Sequence, residues 1–150
     1  MKKPIFLILG ALAASLAVPA SAQFAKAEDA IKYRQSALFV MQQNFSRVAA
    51  MATGKTAFDA KLAADSAAVA DFMAKLPWVG FQPGTETGQT KAKPEIWSAK
   101  AKFDDYAVKM QTEMTKLASA AKAGNLDAIK TAVNATGGAC KSCHDDFRAK

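Results

Sequence analysis

The sequence predicts an all-α fold, an antiparallel up-down-up-down four-helix bundle. Three observations lead there. Four long stretches, residues 28–52, 56–76, 95–123 and 125–147, carry apolar side chains at helical spacing. Glycine and proline punctuate the chain between them. The composition is rich in Ala, Lys, Met and Leu and lacks the β-branched clusters that strands favour. Short turns after the first and third stretches require antiparallel neighbours.

The first stretch places Ile31, Leu38, Met41, Phe45, Val48 and Ala52 on an alternating 3,4 seam, and Gly54 stops it. Arg34 interrupts that seam, where a buried unpaired guanidinium would be costly. Either an anionic partner offsets the cost or the side chain reaches out to solvent. The second stretch opens at Thr56, a plausible N-cap, and Pro77 forbids its continuation.

The connection 77–94 runs to 18 residues and contains Pro77, Gly80, Pro83, Gly84, Gly88 and Pro94. That is longer than geometry alone needs. It carries Trp78 and Phe81, which need burial, either against a bound group or as a plug for the bundle end. The third stretch presents Phe103, Tyr106, Met110, Met114 and Leu117 and stops at Gly124. The fourth, capped by Asn125, presents Leu126, Ile129, Val133, Cys140, Cys143 and Phe147. Within it, Gly137 and Gly138 each cost about 1 kcal/mol relative to alanine. They either admit a close neighbour or mark a kink.

The last helix ends in Cys140-Lys141-Ser142-Cys143-His144, which holds both cysteines and the single histidine of the chain. Cys-x-x-Cys-His is the attachment signature of a c-type haem. On a helix the three residues lie at i, i+3 and i+4 and project from one face. Two thiols can then join the two vinyl groups of one covalently attached haem c while His144 offers a proximal nitrogen to iron. A structural zinc site usually takes four Cys or His ligands, and the chain has three. A thioredoxin-like dithiol needs a βαβ context, and a simple disulfide would leave the adjacent histidine a coincidence. Because the cysteines fall on the core seam, the haem is expected inside the bundle.

At the other end, Lys2 and Lys3 precede an apolar run over 5–18, then Pro19 and Ala20-Ser21-Ala22. This reads as a secretory signal peptide over 1–22, cleaved before Gln23, which leaves 23–150 as one haem-binding domain in the periplasm. The run is shorter than the roughly 20 residues that span a bilayer, so no membrane attachment is expected after cleavage. Loss of Lys2 and Lys3 leaves 18 basic against 13 acidic side chains, a net charge of +5. The lysines are spread along helix faces, which argues against nucleic acid as a partner.

With these motifs in view, the chain resembles the bacterial cytochromes c′, the class II c-type cytochromes, over essentially all of 23–150. The resemblance rests on the C-terminal Cys140-x-x-Cys143-His144 with Arg148 beyond it. It rests also on Gln23-Phe24-Ala25-Lys26, on Lys32-Tyr33-Arg34-Gln35-Ser36-Ala37-Leu38, and on Leu76-Pro77-Trp78, Pro83-Gly84-Thr85-Glu86 and Pro94-Glu95-Ile96-Trp97. Cytochromes c′ are themselves a standard instance of the up-down-up-down bundle. The resemblance implies a five-coordinate, high-spin haem with His144 on the proximal side and Leu38 closing the distal side. It implies that NO and CO are the ligands, that Arg148 lies beside the proximal face, and that Arg34 and Gln35 lie near the propionates.

The function expected is a non-enzymatic haem protein that binds NO and CO, with electron transfer as a second role and its redox partner undefined. The alternative is a low-spin electron carrier with Met41 as axial ligand, against the reading of Met41 as core packing. Peroxidase-like catalysis would want a second acid/base group over the iron, and no second histidine exists. The resemblance also implies a homodimer through the first two helices, where Ala49, Ala50, Ala63, Ala64, Ala67 and Ala68 would allow close packing.

Overall fold

The computed structural model describes residues 23–150, so the signal-peptide expectation lies outside the described residues. Among the described residues the helices are α1 (Ala27–Ala52), α2 (Ala60–Met73), a short α3 (Glu95–Ser98), α4 (Lys100–Lys122) and α5 (Leu126–Phe147), with a 3₁₀ turn at Pro77–Gly80. The four long helices form the bundle: α1 packs on α2, α2 on α4, α4 on α5, and α5 returns to α1.

The helix ends follow local chemistry. Glu28 and Asp29 occupy the first turn of α1, where the helix dipole favours negative charge. Its other end is a Schellman turn: Lys55 N–H donates to the Ala50 carbonyl, Gly54 N–H donates to Met51, and Gly54 takes φ +73°. The Asn125 side chain caps α5 by accepting from the Asp127 and Ala128 amides, as expected. The second helix departs from expectation at both ends. Asp59, not Thr56, is its N-cap and accepts from Leu62 N–H, and the helix stops at Met73, three residues short of Leu76. An aspartate with extended backbone competes better for the cap than an upstream threonine. The third stretch breaks at Ala99 (φ −117°, ψ 44°), which separates α3 from α4.

Two apolar clusters fill the interior. The larger contains Met41, Val48, Met110, Met114, Leu117, Ile129 and Val133 and holds the four long helices together. The smaller, Ile96, Phe103 and Phe147, closes the end of the bundle where the 77–94 connection lies. Leu117, Met114 and Ile129 are fully buried, each contributing about 1.5–3 kcal/mol relative to exposure.

Candidate haem site

Cys140 and Cys143 share one face of α5, and each touches a different part of the interior. Cys140 packs against the larger cluster and Cys143 against the smaller. A flat apolar group bonded to both sulfurs would therefore sit where the two clusters meet. The thiols are half-buried and not joined to each other, which removes the disulfide reading. Burial pushes the Cys140 thiol up and the Cys143 thiol up to about 11, the latter aided by the neighbouring Cys140 and Asp146. Both are neutral at physiological pH.

The helix face beside the cysteines has room for a planar group. A Cβ added at Gly137 or Gly138 would meet nothing within 4 Å. One turn before Cys140, on the same seam, the Thr136 hydroxyl is fully buried without a hydrogen-bond partner. The donor set, the open glycine surface and the orphaned hydroxyl all fit a haem attached at Cys140 and Cys143. A threonine on an otherwise apolar seam was the sequence signal for Thr136.

His144, at i+4 from Cys140, is exposed in the last turn of α5. Partial burial lowers its pKa, and the charge of Arg148 lowers it further, opposed by Asp145. The neutral imidazole is the form that ligates a metal. Arg148 lies past the helix end in extended conformation, its amide donating to the His144 carbonyl and its backbone bridged to Ala92. It therefore stays next to His144 without sharing its helix.

The long connection 77–94 is tied to both sides of this site. At its far end Lys93 N–H donates to the Phe147 carbonyl and Ala149 N–H to Lys91, while Lys93 Nζ caps the carbonyls of Asp145 and Asp146 at 3.2 and 3.0 Å. At its near end it closes over α1, where Arg34 is 1% exposed. Arg34 Nη1 donates to the Gly80 carbonyl (2.8 Å) and to Thr85 Oγ1 (2.7 Å). Its Nη2 donates to the Thr85 carbonyl and to Thr90 Oγ1, both at 2.9 Å. Burial lowers the guanidinium pKa, and Glu86 opposes that shift.

The Arg34 side chain does not reach solvent, and oxygens of the connection offset part of the cost of its burial. Gln35, paired with it in expectation, spends its amide on the Gln89 carbonyl at 2.8 Å. The pairing of Gly80, Thr85 and Thr90 with Arg34 carried no sequence signal, because the partners lie some 50 residues apart.

Trp78 and Phe81 are buried on their inner sides, as required of them. Trp78 borders both clusters, and its indole N–H donates to the Ala74 carbonyl. Phe81 stacks on Trp78 (centroids 6.1 Å) and meets Phe103 edge-on at 4.9 Å. Leu38, one turn after Arg34, is half-buried against the larger cluster together with Phe45 and Cys140. Met41 is 7% exposed and enclosed in that cluster, the place of a packing side chain.

Comparison with known proteins gives one consistent match. A family model described as Cytochrome C' covers residues 29–148. A cytochrome c' from Rubrivivax gelatinosus is 50% identical over 129 residues, spanning 85% of this chain and 100% of that protein. One from Alcaligenes xylosoxydans xylosoxydans is 44% identical over 128 residues, spanning 85% and 99%. The solved Rubrivivax gelatinosus structure superposes with a TM-score of 0.82, covering 85% of this chain and 100% of that one at 50% identity. A nitric oxide complex of a mutant cytochrome c prime from Alcaligenes xylosoxidans superposes at 0.80 with 42% identity, covering 85% and 99%.

Proposed function

Because this chain belongs to the cytochrome c′ family, whose members carry covalently attached haem c, we propose that it is a periplasmic haem protein that takes up NO and CO. Cys140 and Cys143 hold the ring edge through thioether bonds, and His144 offers the proximal nitrogen. The ferrous haem supplies an electron-rich metal to which small uncharged diatomics bind. Leu38, with no lone pair, excludes water and anions from the opposite side, and the Trp78–Phe81 pair walls the pocket. Arg148 stands beside His144, where its charge adds to partial burial in favouring the neutral imidazole that would ligate the iron.

The observation that carries this reading is the apolar character of the Leu38 neighbourhood, in which Met41, one turn further along α1, is committed to the core. An optical spectrum of the purified protein, ferric and dithionite-reduced, with and without NO, tests it. A high-spin reduced spectrum that changes on adding NO is expected. Sharp low-spin bands indifferent to NO would overturn it and promote Met41 to axial ligand in an electron carrier. Leu38→Ala is expected to speed ligand uptake by at least about tenfold in stopped flow, since it removes the bulk over the open position.

A homodimer through α1 and α2 belongs to the same proposal, and of the six alanines expected in it Ala49, Ala50 and Ala64 are half-buried and Ala68 is exposed. Ala63 and Ala67 are fully buried between helices of one chain and are not free for a partner. The outer faces of α1 and α2 instead expose Phe39 (60%), Phe72 (63%), Val40, Leu62 and Val69, an apolar surface a monomer would not keep without use. Phe72→Glu is expected to shift the mass in light scattering from dimer to monomer.

A further inference from the structure

We propose that Lys93 is a positioning residue for His144: by holding the last turn of α5 against the connection, it sets how firmly the imidazole binds iron. This rests on the reading of His144 as the proximal ligand given above.

A helix ends with four carbonyls that find no amide partner further along it. In α5 these belong to His144, Asp145, Asp146 and Phe147, the turn that carries the imidazole. The His144 carbonyl accepts from the Arg148 amide at 3.1 Å, a bond made locally. Lys93 satisfies the other three. Its amide donates to the Phe147 carbonyl at 3.0 Å, and its ammonium donates to those of Asp145 (3.2 Å) and Asp146 (3.0 Å), 52 and 53 residues away in sequence. The ammonium also brings positive charge to the negative end of the helix dipole. Beyond it Ala149 N–H donates to the Lys91 carbonyl and Ala92 pairs with Arg148, so residues 91–93 run alongside 147–149 as a strap.

The same turn is held to α4 through side chains, with Phe147 against Phe103 and Asp146 bonded to Tyr106 and Lys102. Lys93 grips its backbone instead. Helix ends open locally at little cost when their carbonyls can turn to water, and closing three of them with one residue raises that cost. Groups behind a metal ligand fix its orientation and tune the bond. With the ring fastened at Cys140 and Cys143, one turn earlier, any opening of 144–147 is taken up between the imidazole and iron.

Resonance Raman of the ferrous holoprotein, which reads the iron–histidine stretch, and amide hydrogen exchange together test this. Lys93→Met keeps the stem and loses the ammonium, whereas Lys93→Arg restores donors to the same carbonyls. In Lys93→Met the Arg148 amide is expected to exchange about tenfold faster and the iron–histidine band to move to lower frequency, with Lys93→Arg returning both toward wild type. Removal of Ala149 and Lys150, which leaves Lys93 in place, should move the band the same way by less. If Lys93→Met speeds exchange but leaves the band at its wild-type frequency, the strap is structural only and the proposal is wrong. If neither observable moves, the turn is held without Lys93 and the proposal is equally wrong. A wild-type ferrous protein that shows no iron–histidine band overturns the parent reading of His144, and the role of Lys93 with it. Should Lys93→Met fail to fold, the shortened chain decides by the same two observables.

Discussion

The attachment helix and the connection 77–94 flank the same site and are built by opposite means. Cys140, Cys143 and His144 lie within five residues on α5, and the helix alone sets their spacing, with Ser142 donating to the Gly138 carbonyl and Lys141 pairing with Asp145 inside it. Arg34 is separated from Gly80, Thr85 and Thr90 by 46 to 56 residues and meets them only when α1 and the connection pack. The chemistry of the site rests on the first region and its shape on the second. Substitutions at Cys140, Cys143 and His144 should therefore alter what the protein carries with little effect on folding, and substitutions around Arg34 should act first on folding.

The largest effect expected tests the first half of that contrast. Cys140→Ala with Cys143→Ala is expected to abolish covalent haem retention completely, read as haem stain on a denaturing gel, while circular dichroism still reports a helical chain. Retention of haem on the gel would break the contrast at its root.

Next in size are changes on the other side. Phe103→Ala removes the ring on which Trp78, Phe81 and Phe147 all converge and is expected to cost about 3–5 kcal/mol in chemical denaturation. Arg34→Met keeps an unbranched apolar stem but removes the guanidinium and strands the acceptors of Gly80 and Thr85, and a loss of about 3 kcal/mol is expected by the same measurement. In both variants the gel should still show covalent haem. Values under about 1 kcal/mol would mean that the connection is an accessory and not a wall.

A smaller effect sharpens the comparison within α5. Asn125→Ala removes the side chain that accepts from two amides at the start of the helix, 15 residues before Cys140, and should cost about 1 kcal/mol with no change in the haem spectrum. The smallest is expected from Tyr106→Phe. Tyr106 O–H donates to Asp146, but Lys102 holds the same exposed carboxylate at 2.9 Å and would keep it paired, leaving the unfolding midpoint near wild type.

What could be read from residues alone follows the same division. The four long helices were legible because amphipathic spacing and the end signals at Gly54, Gly124 and Asn125 act within a few residues of themselves. The attachment set was legible because its spacing on a helix is its geometry. The start of α2 was misplaced for a local reason too, Asp59 outcompeting Thr56 as the cap. The environments of Arg34 and Gln35 were not legible. A lone arginine on an apolar seam announces that something must satisfy it, but sequence carries no distance between residue 34 and residues 80–90.

By itself, then, the sequence determined the bundle, the shared helix position of Cys140, Cys143 and His144 and the need to bury Trp78 and Phe81. Each of these follows from periodicity, capping or fixed i, i+3, i+4 spacing. Only the tertiary structure decided that Arg34 spends its hydrogen bonds on the connection, that Cys140 and Cys143 touch different clusters, and that Ala63 and Ala67 are consumed inside the chain while Phe39 and Phe72 stay outside. Those outcomes depend on which surfaces meet when helices distant in sequence pack, and packing is a property of the whole chain at once.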